Sequence, residues 1–222
     1  MSCVGCFRPI IDRGVPMKLV KVAVIRHGKK EKIPDCGQGT TSWGIQARLT
    51  EAGIATAEQV ARRLKALLPG CTTFGCSPLI RAQETIFVIM REMGIVPAEF
   101  ADHIRYHPNF WSRHPSVWYM DVDPAAYSNG AVYNLRRTEV EEEGNITLNA
   151  IQDMSVLAGS GNEKSVICVS HGGPLDAAIM MAKRQLGRYV PITDLKEGEG
   201  AIFVFDDHVA TMVDVEDFLQ ES

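Results

Sequence analysis

Residues 18–28 read Lys-Leu-Val-Lys-Val-Ala-Val-Ile-Arg-His-Gly. Six of these eleven are apolar or β-branched, as in a strand buried on both faces, and the run breaks abruptly into a cation, an imidazole and a glycine. The same transition recurs twice. Residues 71–82 run from Cys-Thr-Thr-Phe-Gly-Cys into Ser-Pro-Leu-Ile-Arg-Ala, and residues 165–174 from Ser-Val-Ile-Cys-Val-Ser into His-Gly-Gly-Pro. Helical periodicity separates the strands. Thr50 opens one helix, with Ile54, Ala57, Ala61, Leu64 and Leu68 on one face and Pro69-Gly70 as its stop. Ser77-Pro78 reads as the N-cap and first position of the next, with Ala82, Ile86, Ile89 and Met93 inward. A further helix follows Gly173-Pro174. Such alternation predicts an α/β chain, a three-layer α/β/α sandwich around a mainly parallel central sheet.

Outside these segments the pattern is weaker. Residues 29–44 form a polar, glycine-dotted loop. From 97 to 144 periodicity fails, and half of the chain's aromatic residues fall between Phe100 and Tyr133, which predicts an ordered excursion from one domain spanning 17–222. The acidic run Glu139–Glu143 predicts a helix start with a solvated face, and the helix runs on to Leu157. The tail predicts strands at 201–205 and 209–213.

Composition narrows the function. The chain has 222 residues, 45% hydrophobic and 23% charged, with a formal net charge of −4. These values exclude a largely disordered chain and give no basic footprint for nucleic acid or an anionic membrane. No stretch approaches the roughly 20 apolar residues of a membrane helix. Six scattered cysteines do not form a disulfide framework, and the Cys3/Cys6 pair lacks a second pair to complete a zinc site. A reduced, cytoplasmic protein with a loosely ordered leader at 1–16 is expected; a homodimer is compatible with the sequence but not indicated by it.

Ligands of open α/β sheets bind beyond the carboxyl ends of the strands. The three strand-end motifs should therefore bring Arg26, His27, Arg81 and His171 to one spot. Arginine's planar fork matches a tetrahedral oxyanion, and helix starts at Ser77-Pro78 and Gly173-Pro174 would add N–H donors. Gly28, Gly172 and Gly173 would let the backbone approach the anion. A neutral imidazole there can carry a phosphoryl group, while a second, protonated histidine stabilises the shifting charge.

Taken with their order and spacing, these residues resemble the histidine phosphatase superfamily, which includes the cofactor-dependent phosphoglycerate mutases. Arg26-His27-Gly28 is similar to its RHG signature, Leu49-Thr50-x-x-Gly53 to its LTxxG helix start, Ser77–Thr85 to its SPLxRAxQT segment, and Ser170–Gly173 to its second-histidine motif. The resemblance implies a phosphoglycerate mutase-like fold and His27 as nucleophile. It also implies a phosphate pocket of Arg26, Gly28, Arg81, His171 and Gly172, and no metal or nucleotide cofactor. A metal-independent phosphatase acting on a small phosphorylated substrate is the expected function. The alternatives are a phosphate- or phosphoprotein-binding module without catalysis and, less favoured, a mutase. The chain departs from the family at Lys29 and Lys30, where most members have Glu after the signature. Gln38, Thr40, Thr41 and Ser42 are candidates for the missing polar contact. The proton donor has no clean motif either. Asp102 is the first choice for it, then Glu99, then His107.

Overall fold

Along strand β1 (Leu19–Arg26) successive side chains must point to opposite faces, and here both faces are covered. In the computed structural model of the chain, which describes residues 18–31, 47–112, 118, 128–158 and 164–218, Val20, Val22 and Val24 enter one apolar cluster and Ala23 and Ile25 another. The second face is closed by α1 (Glu51–Leu67) and α2 (Ile80–Met93), which contribute Val60, Ala61, Leu64, Ile86, Ile89 and Met90. The first is closed by α5 (Arg137–Leu157) and α6 (Gly172–Gln185), through Ile151, Met154, Leu175, Ala178 and Ile179. Three layers result, as the alternating sequence predicts.

The sheet between them has six strands in the order β3-β2-β4-β1-β5-β6. Strand β4 (Lys164–Ser170) pairs in parallel with β1 on one side and with β2 (Thr73–Cys76) on the other. Strand β3 (Ile104–Tyr106) adds a parallel edge, while β5 (Gly200–Asp206) and β6 (Met212–Phe218) are antiparallel. The last strand begins three residues and ends five residues later than the expected 209–213, because Asp207–Val209 are taken up in the turn and Val209 is 66% exposed.

Helix α1 begins where its signature predicts: the Thr50 hydroxyl accepts from the Gly53 N–H. Helix α2 does not. Its N-cap is Leu79, two residues later than the expected Ser77, and the Ser77 hydroxyl has another partner, described below. The excursion at 97–144 is ordered where it is described. It holds a helical turn (α3, Phe100–His103), β3 and helix α4 (Asn129–Leu135). The acidic run opens α5, and its expected solvated face is present only in part, at the exposed Glu139 and Glu142. Glu143 is buried, and Glu141 accepts from Tyr133, Arg137 and Arg184, which holds its carboxyl down near 2. The expected leader at 1–16, with its cysteine pair, and the loop candidates Gln38, Thr40, Thr41 and Ser42 lie outside the described residues. Among the described residues no helix is long and apolar enough to cross a membrane.

Two glycines tie the signature loop to α1. A Cβ on Gly28 would lie 2.5 Å from the Gly53 carbonyl oxygen, and one on Gly53 would lie 2.2 Å from that of Lys29. The backbones cross in contact, so neither position has room for a side chain. Gly53→Ala should destabilise the chain by about 1–3 kcal/mol through overpacking against backbone. Gly130→Ala, where the nearest atom is the Ser128 hydroxyl at 3.7 Å, should instead be neutral or stabilising by up to about 1 kcal/mol. Urea unfolding of both variants tests the contrast, and equal losses would refute the crossing as the reason for Gly53.

Candidate active site

Parallel pairing places the ends of β1, β2 and β4 side by side. The His27 N–H donates to the Ser170 carbonyl and the Ser77 N–H to the Val169 carbonyl, so the residues just past each strand share one edge of the sheet. The imidazoles of His27 and His171, 144 positions apart in the chain, meet with ring centroids 5.0 Å apart. Arg81, in the first turn of α2, reaches across to donate its Nε–H to His27 Nε2 at 3.0 Å. Arg26 completes the group from the last position of β1. Together they line a cleft of about 170 Å³, with Lys30, Trp111, Ser112, Trp118 and Asn129 among the other walls.

The hydrogen bonds assign the tautomer of each ring. His27 Nδ1 lies 2.7 Å from the Gly28 carbonyl, which can only accept, so Nδ1 carries the proton. Nε2, facing the Arg81 donor, keeps its lone pair. The Ser77 hydroxyl accepts from the Leu79 N–H and, at 2.8 Å from His171 Nε2, donates to it. The single N–H proton of the neutral His171 ring thus sits on Nδ1, a buried atom with no hydrogen-bond partner. Arg26 Nε and Trp118 Nε1 are buried in the same unpaired condition, and both side chains line the cleft. Unsatisfied buried donors are rare in folded proteins, and three around one cleft describe a place built for an acceptor-rich group.

Electrostatics match that arrangement. Burial, followed by the positive charge of Arg81, lowers His27 to about 3. Burial, then His27 and the guanidinium groups of Arg81 and Arg26, holds His171 well below its ordinary value as well. The expected protonated second histidine does not match this environment: burial first, and the three cations nearby second, favour the neutral form of both rings. Lys30 is the third cation. It lines the cleft and its own pKa is lowered by burial, Arg81 and Arg26, whereas Lys29 contributes its carbonyl to the Thr50 cap.

Gly172 and Gly173 line the cleft, and the glycines also meet protein neighbours at close range. A Cβ on Gly172 would press on the Arg26 guanidinium at 3.3 Å, and one on Gly173 would enter the Trp118 indole at 2.4 Å. With Gly28 against Gly53, all three admit other parts of the protein to close range.

The proton-donor expectation fails on geometry. Asp102 and Glu99 precede β3, which runs parallel to β2, so they lie at the amino end of the strands, across the sheet from the cleft. His103, beside Asp102, confirms the position by bonding the carbonyl of Thr72, just before β2 begins. His107 is at the correct end of β3 but turns to Asp153 and the Phe110 ring. Among the described residues, the carboxylates that do line the cleft are Asp194 and Glu197, from the segment before β5, the latter 3.8 Å from Arg26. Neither stands in a motif; their only sequence signal is a polar stretch leading into a strand. Among the described residues no group of three or more His, Cys, Asp or Glu could hold a metal ion.

Residues 22–216 match the family model described as histidine phosphatase superfamily (branch 1). No curated protein matches the chain. A phosphoglycerate mutase from Bacillus anthracis str. Sterne has a similar structure, with a TM-score of 0.60 at 18% identity over 90% of this chain and 93% of that one. A second similar structure is titled mycobacterial hydrolase 2, with a TM-score of 0.58 at 15% identity, over 93% and 94% of the two chains. A mycobacterial glucosyl-3-phosphoglycerate phosphatase complexed with VO3 is a third, with a TM-score of 0.53 at 16% identity, over 82% and 92%. At these identities the likeness is one of fold.

The neutral imidazoles give a testable pH dependence of stability. The unfolded chain binds protons at its histidines below about 6.5 while the folded His27 stays neutral until about 3, so stability falls as pH drops through that window. Each buried ring adds a slope of about 1.4 kcal/mol per pH unit. Urea unfolding in phosphate-free buffer at pH 4.5, 5.5 and 6.5 should show that slope reduced in His27→Asn; an unchanged slope would mean that the ring takes up its proton in the folded state.

Proposed function

The chain belongs to the histidine phosphatase superfamily, and on that basis we propose that it moves the phosphoryl group of a small phosphorylated compound first onto His27 and then to water. The observation that carries this reading is the pairing of an unprotonated His27 Nε2 with three buried, partnerless donors on the same cleft. A phosphate oxygen accepts hydrogen bonds and donates none when ionised, so a phosphoryl group satisfies what the protein leaves open.

In the first step Arg81 turns its Nε–H from His27 to a phosphate oxygen, the freed Nε2 lone pair attacks phosphorus, the N–P bond forms and the ester P–O bond breaks. The Gly28 carbonyl holds the Nδ1 proton and stabilises the positive charge that develops on the ring. Arg26, Arg81 and Lys30 face the equatorial oxygens, and His171 donates from Nδ1. The departing oxygen takes a proton from a carboxylic acid at the cleft, Asp194 or Glu197 in place of Asp102. Water, losing its proton to that carboxylate, then attacks phosphorus, and the N–P bond breaks to release phosphate.

Brief reaction with a labelled phosphoryl donor, quenched in alkali, should trap a phosphoprotein that is acid-labile and absent in His27→Ala. Turnover without such a species would defeat the covalent route, and saturable phosphate binding without turnover would identify a binding module instead. Of Asp194→Asn and Glu197→Gln, the variant that removes the proton donor should lose about 100-fold on an alkyl phosphate. Its loss on an aryl phosphate, whose leaving group needs little protonation, should be under threefold. Equal losses on both substrates would refute the role for that residue.

A further inference from the structure

Arg26 is held by a segment that has neither helix nor ladder of its own. Residues 190–199 cross from α6 to β5, and within them the Leu195 carbonyl accepts from Arg26 Nη1. The Arg26 main chain is tied to the same segment, its N–H to the Glu199 carbonyl and its carbonyl to the Gly198 N–H. What fixes the segment is a carboxylate outside the cleft lining. Asp176, buried on α6, accepts from the Thr193 hydroxyl at 2.8 Å and from the Leu195 N–H at 3.0 Å with one oxygen. With the other it accepts from the Asn129 side-chain amide at 2.9 Å. Asn129, the first residue of α4, also donates to the Thr193 carbonyl and, through its backbone N–H, to Asp194. Leu195 thus offers its N–H to Asp176 and its carbonyl to Arg26.

We propose that Asp176 is the positioning residue of the anion site: through Leu195 it fixes the Arg26 guanidinium, and through Asn129 it fixes the cleft wall beside it. The inference rests on the phosphate-site reading above and adds to it a residue that the four sequence motifs do not mark. The donor pattern explains why a carboxylate stands here. Two amide donors approach different oxygens of Asp176, and an amide side chain in its place must turn an N–H against one of them. A structural ion pair would not show this directionality. Both Asp176 oxygens accept hydrogen bonds, and the network ends, through Leu195, on a guanidinium whose Nε is buried without a hydrogen-bond partner.

The test is a double-mutant cycle read by calorimetric binding of inorganic phosphate, which does not require turnover. Asp176→Asn should weaken binding about tenfold, Arg26→Ala about 100-fold, and the double variant no more than Arg26→Ala alone. Thr193→Val, which removes one anchoring bond while keeping volume, should give a smaller loss with the same dependence on Arg26 and remains informative if Asp176→Asn folds poorly. Far-UV circular dichroism checks each fold. A loss from Asp176→Asn that is as large in the Arg26→Ala background as in the parent overturns the positioning role and leaves the phosphate site standing, as does unaltered binding in both Asp176→Asn and Thr193→Val. A parent chain that binds no phosphate overturns the site and this inference together.

Discussion

Strand β4 is hydrogen-bonded in parallel to β1 on one side and β2 on the other, and the cleft depends on that double pairing. Parallel strands finish at the same edge of a sheet, so three segments remote in the chain must deliver their next residues to one place. Val20 lies opposite Lys164 and Arg26 opposite Ser170. A slip of one residue in this register would move His171 away from His27 and also turn the alternating apolar residues of β4 to the wrong faces. Core packing and site assembly are therefore specified by the same contacts.

What the cleft then contains is an imbalance that the fold sustains. Arg26, Arg81 and Lys30 crowd two imidazoles that have been taken out of water, and the cheapest response is for the rings to stay neutral. Glu197 offsets Arg26 from 3.8 Å. An incoming dianion is the natural counterweight. It also reverses the local field, so that a ring that is neutral beforehand can accept positive charge once the anion is seated.

The layered fold and the four central residues were legible from the sequence because each rests on a local pattern. Thr50 caps α1, buried runs mark β1 and β4, and histidine or arginine stands at the strand ends. The proton donor was not legible. Glu99 and Asp102 follow α2 in the chain, but β3 is only three residues long, with one buried position, too short to show a period. Without β3 nothing in the sequence tells which end of the sheet those carboxylates occupy. Asp194, Glu197 and Asn129 come from loops and a helix start whose placement depends on tertiary hydrogen bonds, above all those of Asp176. The protein neighbours of the glycines, Gly53, Arg26 and Trp118, were not legible, since they are set by the three-dimensional crossing.

The aromatic walls have a practical corollary. The Trp111 indole meets the His171 ring edge-on at 4.9 Å and lies 5.5 Å beneath the Arg81 guanidinium. Emission from an indole is sensitive to charge and to imidazole in contact with it. The molecule therefore carries a fluorophore at the point where occupancy and protonation both change, an optical readout that requires no added label.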